Sequence, residues 1–406
     1  MFSLAERLQS IQPSPTLALN AQAAALKAQG VDIINLAAGE PDFATPPWIQ
    51  EAAIQAMQQG LTKYTAVDGL PALKKAIQEK FLRDNNLEYE LAEITVANGG
   101  KQILFNAMMA TLNPGDEVII SAPYWVSYPD VVRMFGGVDH IIPCLEETQF
   151  KLTPEQLENA ITEKTKWVIL NSPSNPTGAV YTRQELRALA DVLCPYPHIY
   201  VLSDDIYEHL IYEGIPFQNI VQIEPRLKGR TLILNGVSKS YSMTGWRIGY
   251  AAGPKALIKG MTLIQSQSTS NACSIAQGAA IQALNGPQGF LQEWREIFTE
   301  RRNTTLTALQ RIKGLRCFQP DGAFYLYVNC AEMIGKITPQ GQIIETDNHF
   351  CRYLLDSARV TAVSGDAFGL SPYFRISYAT SLPLLQEACR RIAQAVSDLK
   401  PAADAA

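Results

Sequence analysis

From residue 94 to 253 the chain alternates short runs of β-branched and apolar residues with stretches at helical spacing. That alternation constrains the fold more than any other feature. The apolar runs cover 94–97, 117–121, 167–171, 199–203, 231–234 and 248–251. None shows clean polar alternation, as expected of strands buried on both faces. Helical patterns lie between several of them, 183–193 among these. The expected architecture is α/β: a large domain with a mainly parallel open sheet flanked by helices. The last third reads differently, with strand candidates at 324–328, 360–363 and 374–378 among helices that include 382–399. A smaller α+β domain is expected there, with a long helix near 284–313 linking the two. A chain of 406 residues exceeds one ordinary core. The division predicted is an N-terminal segment 1–45 packing with the small domain, a large domain 46–285, a small domain 286–400 and a frayed tail 401–406.

In open α/β sheets, ligands bind beyond the carboxyl ends of the strands. The polar clusters of this chain fall at those ends. The run at 94–97 leads into Asn98-Gly99-Gly100-Lys101, a glycine-rich helix start whose free N–H groups suit an anion. It is no Walker loop, since the upstream glycine and the following Ser/Thr are missing. The run at 117–121 leads into Ala122-Pro123-Tyr124-Trp125, and 167–170 into Asn171-Ser172-Pro173-Ser174-Asn175-Pro176-Thr177-Gly178. The run at 199–203 leads into Asp204-Asp205-Ile206-Tyr207. The last, 231–234, leads into Asn235-Gly236-Val237-Ser238-Lys239-Ser240-Tyr241-Ser242-Met243-Thr244-Gly245-Trp246-Arg247. Gly236 and Gly245 argue against a long regular helix here, so Lys239 and Arg247 sit on a turn-rich loop. An amine can form a Schiff base and a guanidinium fork binds phosphate, so the pair suits a carbonyl cofactor carrying a phosphate. Taken singly, each cluster also reads as an ordinary turn, core aromatic or surface charge. Their convergence on five strand ends is what points to a site.

Composition excludes several classes. Lys and Arg number 34 against 39 Asp and Glu, a net charge of −5 without a dense basic run, which disfavours nucleic-acid binding. The seven cysteines are scattered and never spaced C-x-x-C, so neither zinc nor a disulfide framework is expected. The four histidines (140, 198, 209 and 349) lack metal-ligand spacing. No apolar run reaches membrane-spanning length and the first residues carry no secretory h-region, so a cytoplasmic enzyme is expected.

Together with Ala38-Gly39-Glu40-Pro41-Asp42-Phe43 and Phe374-Arg375-Ile376-Ser377, these motifs resemble the class I pyridoxal-phosphate aminotransferases of fold type I. The similarity is to the bacterial aspartate aminotransferases of the thermophile-type subgroup, and it spans nearly the whole chain. The resemblance implies pyridoxal 5′-phosphate as cofactor and Lys239 as its Schiff-base lysine. Asp204 is then the partner of the ring nitrogen, Asn175 and Tyr207 of the ring 3-oxygen, and Trp125 the stacking plate. The N–H groups of Gly100 and Lys101, with Arg247, take the phosphate. Arg375 becomes the clamp for the substrate α-carboxylate, and Gly39 lies on a loop that closes over substrate. Tyr64 corresponds to a tyrosine that reaches the neighbouring subunit's phosphate, which implies a homodimer with shared active sites. The reaction implied is ping-pong transamination, with L-aspartate and 2-oxoglutarate giving oxaloacetate and L-glutamate.

The chain departs from that pattern in places. Many relatives carry a serine three residues before the Schiff-base lysine, where this chain has Gly236. Ser238 and backbone donors then substitute, or the phosphate has one contact fewer. Some relatives place lysines near the sites of Met109 and Gln12 to attract a dicarboxylate, which neither residue can do. Gln12 and Thr16 are weaker candidates for the side-chain pocket. Alternatives on the same scaffold are an aminotransferase for aromatic acids or prephenate and a C–S β-lyase. A cofactor-keeping ligand sensor is disfavoured because the pattern begins within the first dozen residues, and a nicotinamide dehydrogenase because no G-x-G-x-x-G follows a strand.

Overall fold

The computed structural model describes residues 3–13 and 15–401; the end of the expected tail, 402–406, lies outside the described residues. Its strands are β1 (Ile34–Asn35), β2 (Ile94–Ala97), β3 (Glu117–Ala122), β4 (Val138–Pro143), β5 (Thr165–Asn171), β6 (Tyr200–Asp204) and β7 (Thr231–Gly236). Then follow β8 (Gly249–Ala252), β9 (Arg316–Cys317), β10 (Tyr325–Asn329), β11 (Val360–Thr361), β12 (Val363–Ser364) and β13 (Tyr373–Ser377). Seven of them form one sheet in the order β2-β8-β7-β6-β5-β3-β4. β8 runs antiparallel to β2 and β7, and the other neighbours are parallel. The carboxyl ends of β2, β3, β5, β6 and β7 therefore share one edge, where β8 begins.

Side chains on both faces of this sheet are buried, in two apolar clusters that contain Val168, Leu170, Val201 and Ile233 on one side and Trp167, Ile169, Leu202 and Leu234 on the other. Period-two alternation of hydrophobic residues thus has no place in these strands. β4 is an edge strand whose residues are all partly exposed, with Asp139 and His140 inside it, and its sequence gives no apolar run to mark it. Helix 284–313 differs from expectation. Gly286 and Pro287 separate helix Ser274–Asn285 from helix Phe290–Gln310, because proline cannot supply the N–H that would continue the ladder.

A second core lies around the sheet β12-β13-β10-β9, with Leu326, Val328, Phe374 and Ile376 on its strands and Phe298 and Leu306 from helix Phe290–Gln310 against it. The N-terminal segment joins this side. β1 pairs in parallel with β11, Leu36 enters the second core, and Arg301 holds Asp42 through two hydrogen bonds of 2.6 and 2.9 Å. The expected strand over 360–363 divides at Ala362, its first half serving β1 and its second β13.

Behind the shared sheet edge sits a buried ion pair, Lys80 with Glu208. Asn235 Nδ2 donates to Glu208 Oε1 at 2.7 Å and Asn85 Nδ2 to Oε2 at 3.0 Å. The network ties helix Pro71–Asn85 to the turn after β6 and to the end of β7. Glu208→Gln should cost about 3–5 kcal/mol, since Lys80 would remain buried without its counter-charge. Chemical denaturation would show it, and a loss below about 1 kcal/mol would count against so strong a dependence on the pair. Asp84, Glu208 and His209 bring possible ligand atoms within 4.8 Å of one another. Lys80 and Arg83 already occupy those carboxylates, and no metal is assigned.

Candidate active site

A cavity of about 420 Å³ opens at the shared edge, between the seven-stranded sheet and β13. Its lining contains Gly39, Gly100, Lys101, Trp125, Asn175, Asp204, Tyr207, Lys239, Arg247 and Arg375. Tyr64 is the one residue of the expected set outside it, 91 % exposed on the surface. Of the two weaker pocket candidates, Thr16 lines the cavity and Gln12 is not in its lining.

Lys239 follows β7 on a short irregular turn, and its Nζ donates to Gly39 O at 2.6 Å. Burial of the side chain, aided by the positive charges of Arg375 and Arg247 and opposed by Glu40 and Asp204, brings the ammonium down to about 8. Gly39 lies close against Tyr325: a Cβ there would fall 2.9 Å from Tyr325 Oη. Asp204 ends β6 and is pushed up to about 6 by burial, against the hydrogen bonds it accepts from Tyr128 Oη (2.6 Å) and Ile206 N (3.3 Å). Asn171, at the end of β5, donates to Asp204 O at 3.0 Å and accepts from Asn175 N at 2.9 Å. The two strand ends are thereby locked together.

Arg375 enters from β13 and is only 2 % exposed. Its Nη1 donates to Asn175 Oδ1 and its Nη2 to Ala37 O, both at 2.8 Å. Tyr325 and Phe368 cover the guanidinium, with ring centroids 4.4 and 5.0 Å from Cζ. Nε is buried, and among the described residues it has no hydrogen-bond partner. A buried donor left without an acceptor costs about 1–3 kcal/mol, and a fork with a free N–H can accommodate an anion. Tyr207 Oη lies 2.7 Å from Tyr325 Oη, and Lys239 Nζ stands 5.8 Å from the Tyr207 ring centroid. Trp125 packs edge-on to Tyr128 at 5.4 Å.

Gly99, at the N-cap of helix Gly100–Thr111, has φ +86°, and a Cβ there would fall 2.2 Å from Arg247 Nη2. Arg247 is held over that helix start by Asn98 O (3.3 Å) and Thr244 O (2.9 Å). Free N–H groups, the positive end of a helix dipole and a guanidinium thus face one spot, a cradle for a phosphate-sized anion. Gly236 is packed too closely for a larger residue: its Cβ would lie 3.0 Å from Ile248 O and 3.1 Å from Ile206 Cδ1. Ser238 lines the cavity instead.

Sequence reasoning missed Tyr128, Asn171, Tyr325 and Glu40. Tyr128 stands three residues after Trp125, and Asn171 ends a strand run already marked, so both carried a signal. Tyr325 carried none, since its hydroxyl matters only once the second sheet is folded against the first. Glu40 accepts from Thr244 Oγ1 at 2.7 Å, which ties the N-terminal loop to the lysine loop.

The family model for aminotransferase class I and II matches residues 31–392. The chain is 56 % identical over 398 residues to an aspartate aminotransferase of Rhizobium meliloti, covering 98 % of this chain and 97 % of that one. It is 55 % identical to a probable aspartate/prephenate aminotransferase of Rickettsia bellii, covering 98 % and 100 %. The crystal structure of the aspartate aminotransferase from Rhizobium meliloti superposes with a TM-score of 0.95 at 56 % identity, covering 98 % of this chain and 100 % of that one. That of the Thermus thermophilus enzyme with maleate gives 0.91 at 42 % identity, covering 97 % and 100 %. With its lysine, carboxylate and arginine around one cavity and a match along nearly its whole length, the chain belongs to the class I and II aminotransferases, pyridoxal-phosphate enzymes that move an amino group between an amino acid and a 2-oxo acid.

Proposed function

We propose that the chain transfers the amino group of L-aspartate to 2-oxoglutarate, giving oxaloacetate and L-glutamate, in a ping-pong reaction. The observation that carries this reading is the meeting of Lys239, Asp204 and the incompletely bonded Arg375 in one cavity. Aspartate as donor is supported by the Rhizobium relative's activity and by the dicarboxylate maleate in the Thermus one.

The residues fit pyridoxal phosphate. The glycine-lined cradle at Gly99 would take the phosphate on the N–H groups of Gly100 and Lys101 and on Arg247. Asp204 would face the ring nitrogen, Asn175 and Tyr207 the 3-oxygen, and Trp125 the ring plane. When bound, the cofactor supplies an electron sink that lets the substrate α-proton leave. Asp204, a buried carboxylate fixed by Tyr128, holds positive charge at the ring nitrogen. Arg375 binds the α-carboxylate through its planar fork and orients the Cα–H bond. Lys239, as a free amine, takes that proton and later returns it. Gly39 O holds Nζ in place.

The active unit in this reading is a homodimer, with exposed Tyr64 crossing to the neighbouring copy's phosphate cradle, and its setting is the cytoplasm. Among the described residues no helix is long and apolar enough to cross a membrane. The unit 46–285 carries the large sheet and 286–400 the small one, with 1–45 joining the latter through β1 and Asp42. A second reading, with prephenate as acceptor, is favoured by the Rickettsia relative.

The test is addition of L-aspartate alone to the purified holoenzyme. One equivalent of oxaloacetate per site is expected, with turnover only after 2-oxoglutarate is added. Pyruvate and ammonia from a thioether substrate, with no oxaloacetate from aspartate, would replace this reading by the β-lyase. Sedimentation of a monomer at assay concentration would remove the shared site.

A further inference from the structure

The parallel ladder between β6 and β7 stops where the site begins. Asp204 pairs with Leu234, Asp205 N donates to Leu234 O at 2.9 Å, and the two chains then part. Asp204 ends β6 and Tyr207 follows it, while Lys239 follows β7. Groups that must meet thus stand on two segments that share no backbone ladder. Among the described residues, the side-chain hydrogen bond that joins 205–209 to 235–239 runs from Asn235 Nδ2 to Glu208 Oε1. Glu208 directly follows Tyr207, and Asn235 lies four residues before Lys239. Both are buried, and neither lines the cavity.

The tie is braced at both ends. Asn235 Oδ1 accepts from Gly236 N at 2.7 Å, which fixes the plane of the amide. On the other side Lys80 pairs with Glu208 and donates to Asn85 Oδ1 at 2.8 Å, while Asn85 Nδ2 holds the second carboxylate oxygen at 3.0 Å. Asn85 O in turn accepts from Gln222 Nε2 at 2.6 Å. A buried ion pair is often no more stabilising than apolar residues of similar volume, so stability alone does not account for this one. What it adds over apolar packing is a fixed direction and length. We infer that Asn235, acting through Glu208, is a positioning residue that holds the Lys239 loop in register with the Asp204–Tyr207 turn. The inference rests on the reading of Lys239 as the working amine.

The test is Asn235→Leu, close in size and without the donor. Its rescue is the reciprocal pair Asn235→Asp with Glu208→Gln, in which the new amide donates to the new carboxylate and Lys80 keeps an anion beside it. In the cofactor-free full chain, labelling of Lys239 by a small aldehyde and borohydride should level off at about pH 8 in the wild type, because burial penalises the ammonium. Nζ is faced by Glu40 from the N-terminal loop, Asp204 from β6, Arg375 from β13 and Arg247 from its own loop, and none of these is altered. A loosened loop admits water, so in Asn235→Leu that point should rise towards the ordinary lysine value of about 10.5 and return in the reciprocal pair. In the holoenzyme, kcat per loaded site should fall about tenfold or more, since misplacing a reacting group by about 1 Å can cost about 10²-fold. The KM for aspartate and cofactor retention should hold, because Arg375 and the phosphate cradle have their own supports. The reciprocal pair should recover the rate. A lower denaturation midpoint with labelling and kcat per loaded site both unchanged overturns the inference. So does a loss that the folded reciprocal pair fails to recover. Asn235→Ala gives the same readouts where leucine is not accommodated. If the wild-type chain is not labelled at Lys239, the reading of that amine fails first and by a separate result.

Discussion

Lys239→Ala should lose about 10³-fold or more in turnover while still binding pyridoxal phosphate noncovalently. General acid–base catalysis by one positioned side chain contributes about 10²–10⁴-fold, and here the same amine also anchors the cofactor. Retention follows from the separate location of the phosphate cradle: Gly99, the helix start and Arg247 are untouched by the substitution. Equilibrium dialysis measures the binding and a coupled assay the rate. A variant that keeps a tenth of the wild-type rate would remove Lys239 from the proposed chemistry. The amine also has a pH signature in the cofactor-free protein. Burial penalises the ammonium, so the folded value lies near 8, below the ordinary 10.5. The free amine is the minor form below pH 8 and dominates above it. Labelling of Lys239 by a small aldehyde and borohydride should therefore climb about tenfold per pH unit up to about 8 and then level off, whereas an ordinary lysine would keep climbing to about 10.5.

Much of this site is legible in the sequence because a parallel sheet turns chain order into spatial order. Once runs such as 167–171 and 199–203 are read as neighbouring parallel strands, whatever follows each must lie on one edge. Asn175, Asp204 and Lys239 could be grouped without any knowledge of packing. Elements that depend on exposure were harder. β4 is a polar edge strand, and its pairing with β3 is decided by the backbone ladder, with little apolar burial to announce it. Side-chain geometry was hardest. That Tyr207 and Tyr325 share a hydrogen bond across 118 residues of sequence depends on how the two sheets meet, and no local pattern encodes it. The same holds for Asn235, which reads as part of a loop motif yet bonds a buried carboxylate behind the site. Gly236 shows the opposite case: a departure visible in sequence whose cause, contact with Ile248 O and Ile206, is visible only in the fold.

Arg375→Lys should lower kcat/KM for every amino-acid donor by roughly 10- to 100-fold, with little dependence on the donor's side chain. The α-carboxylate is common to all donors, and the guanidinium offers it a planar fork that an ammonium cannot reproduce. Nη1 and Nη2 are already committed to Asn175 and Ala37, which fixes the plane of the fork and leaves Nε as an unsatisfied donor. Lysine could serve those two oxygens or the substrate, and whichever it abandons leaves a buried polar group unpaired. A hydrogen bond to a charged group contributes about 1.5–3 kcal/mol, which converts to the stated range. Stacking against Tyr325 and Phe368 favours the flat guanidinium further. Steady-state kinetics with aspartate, alanine and phenylalanine would measure the effect, alongside a denaturation curve to show that the variant is folded. An equal loss for all three places the clamp at Arg375. Unchanged specificity constants in the Arg375 variant would move the clamp elsewhere and remove the main reason for orienting substrate against Lys239.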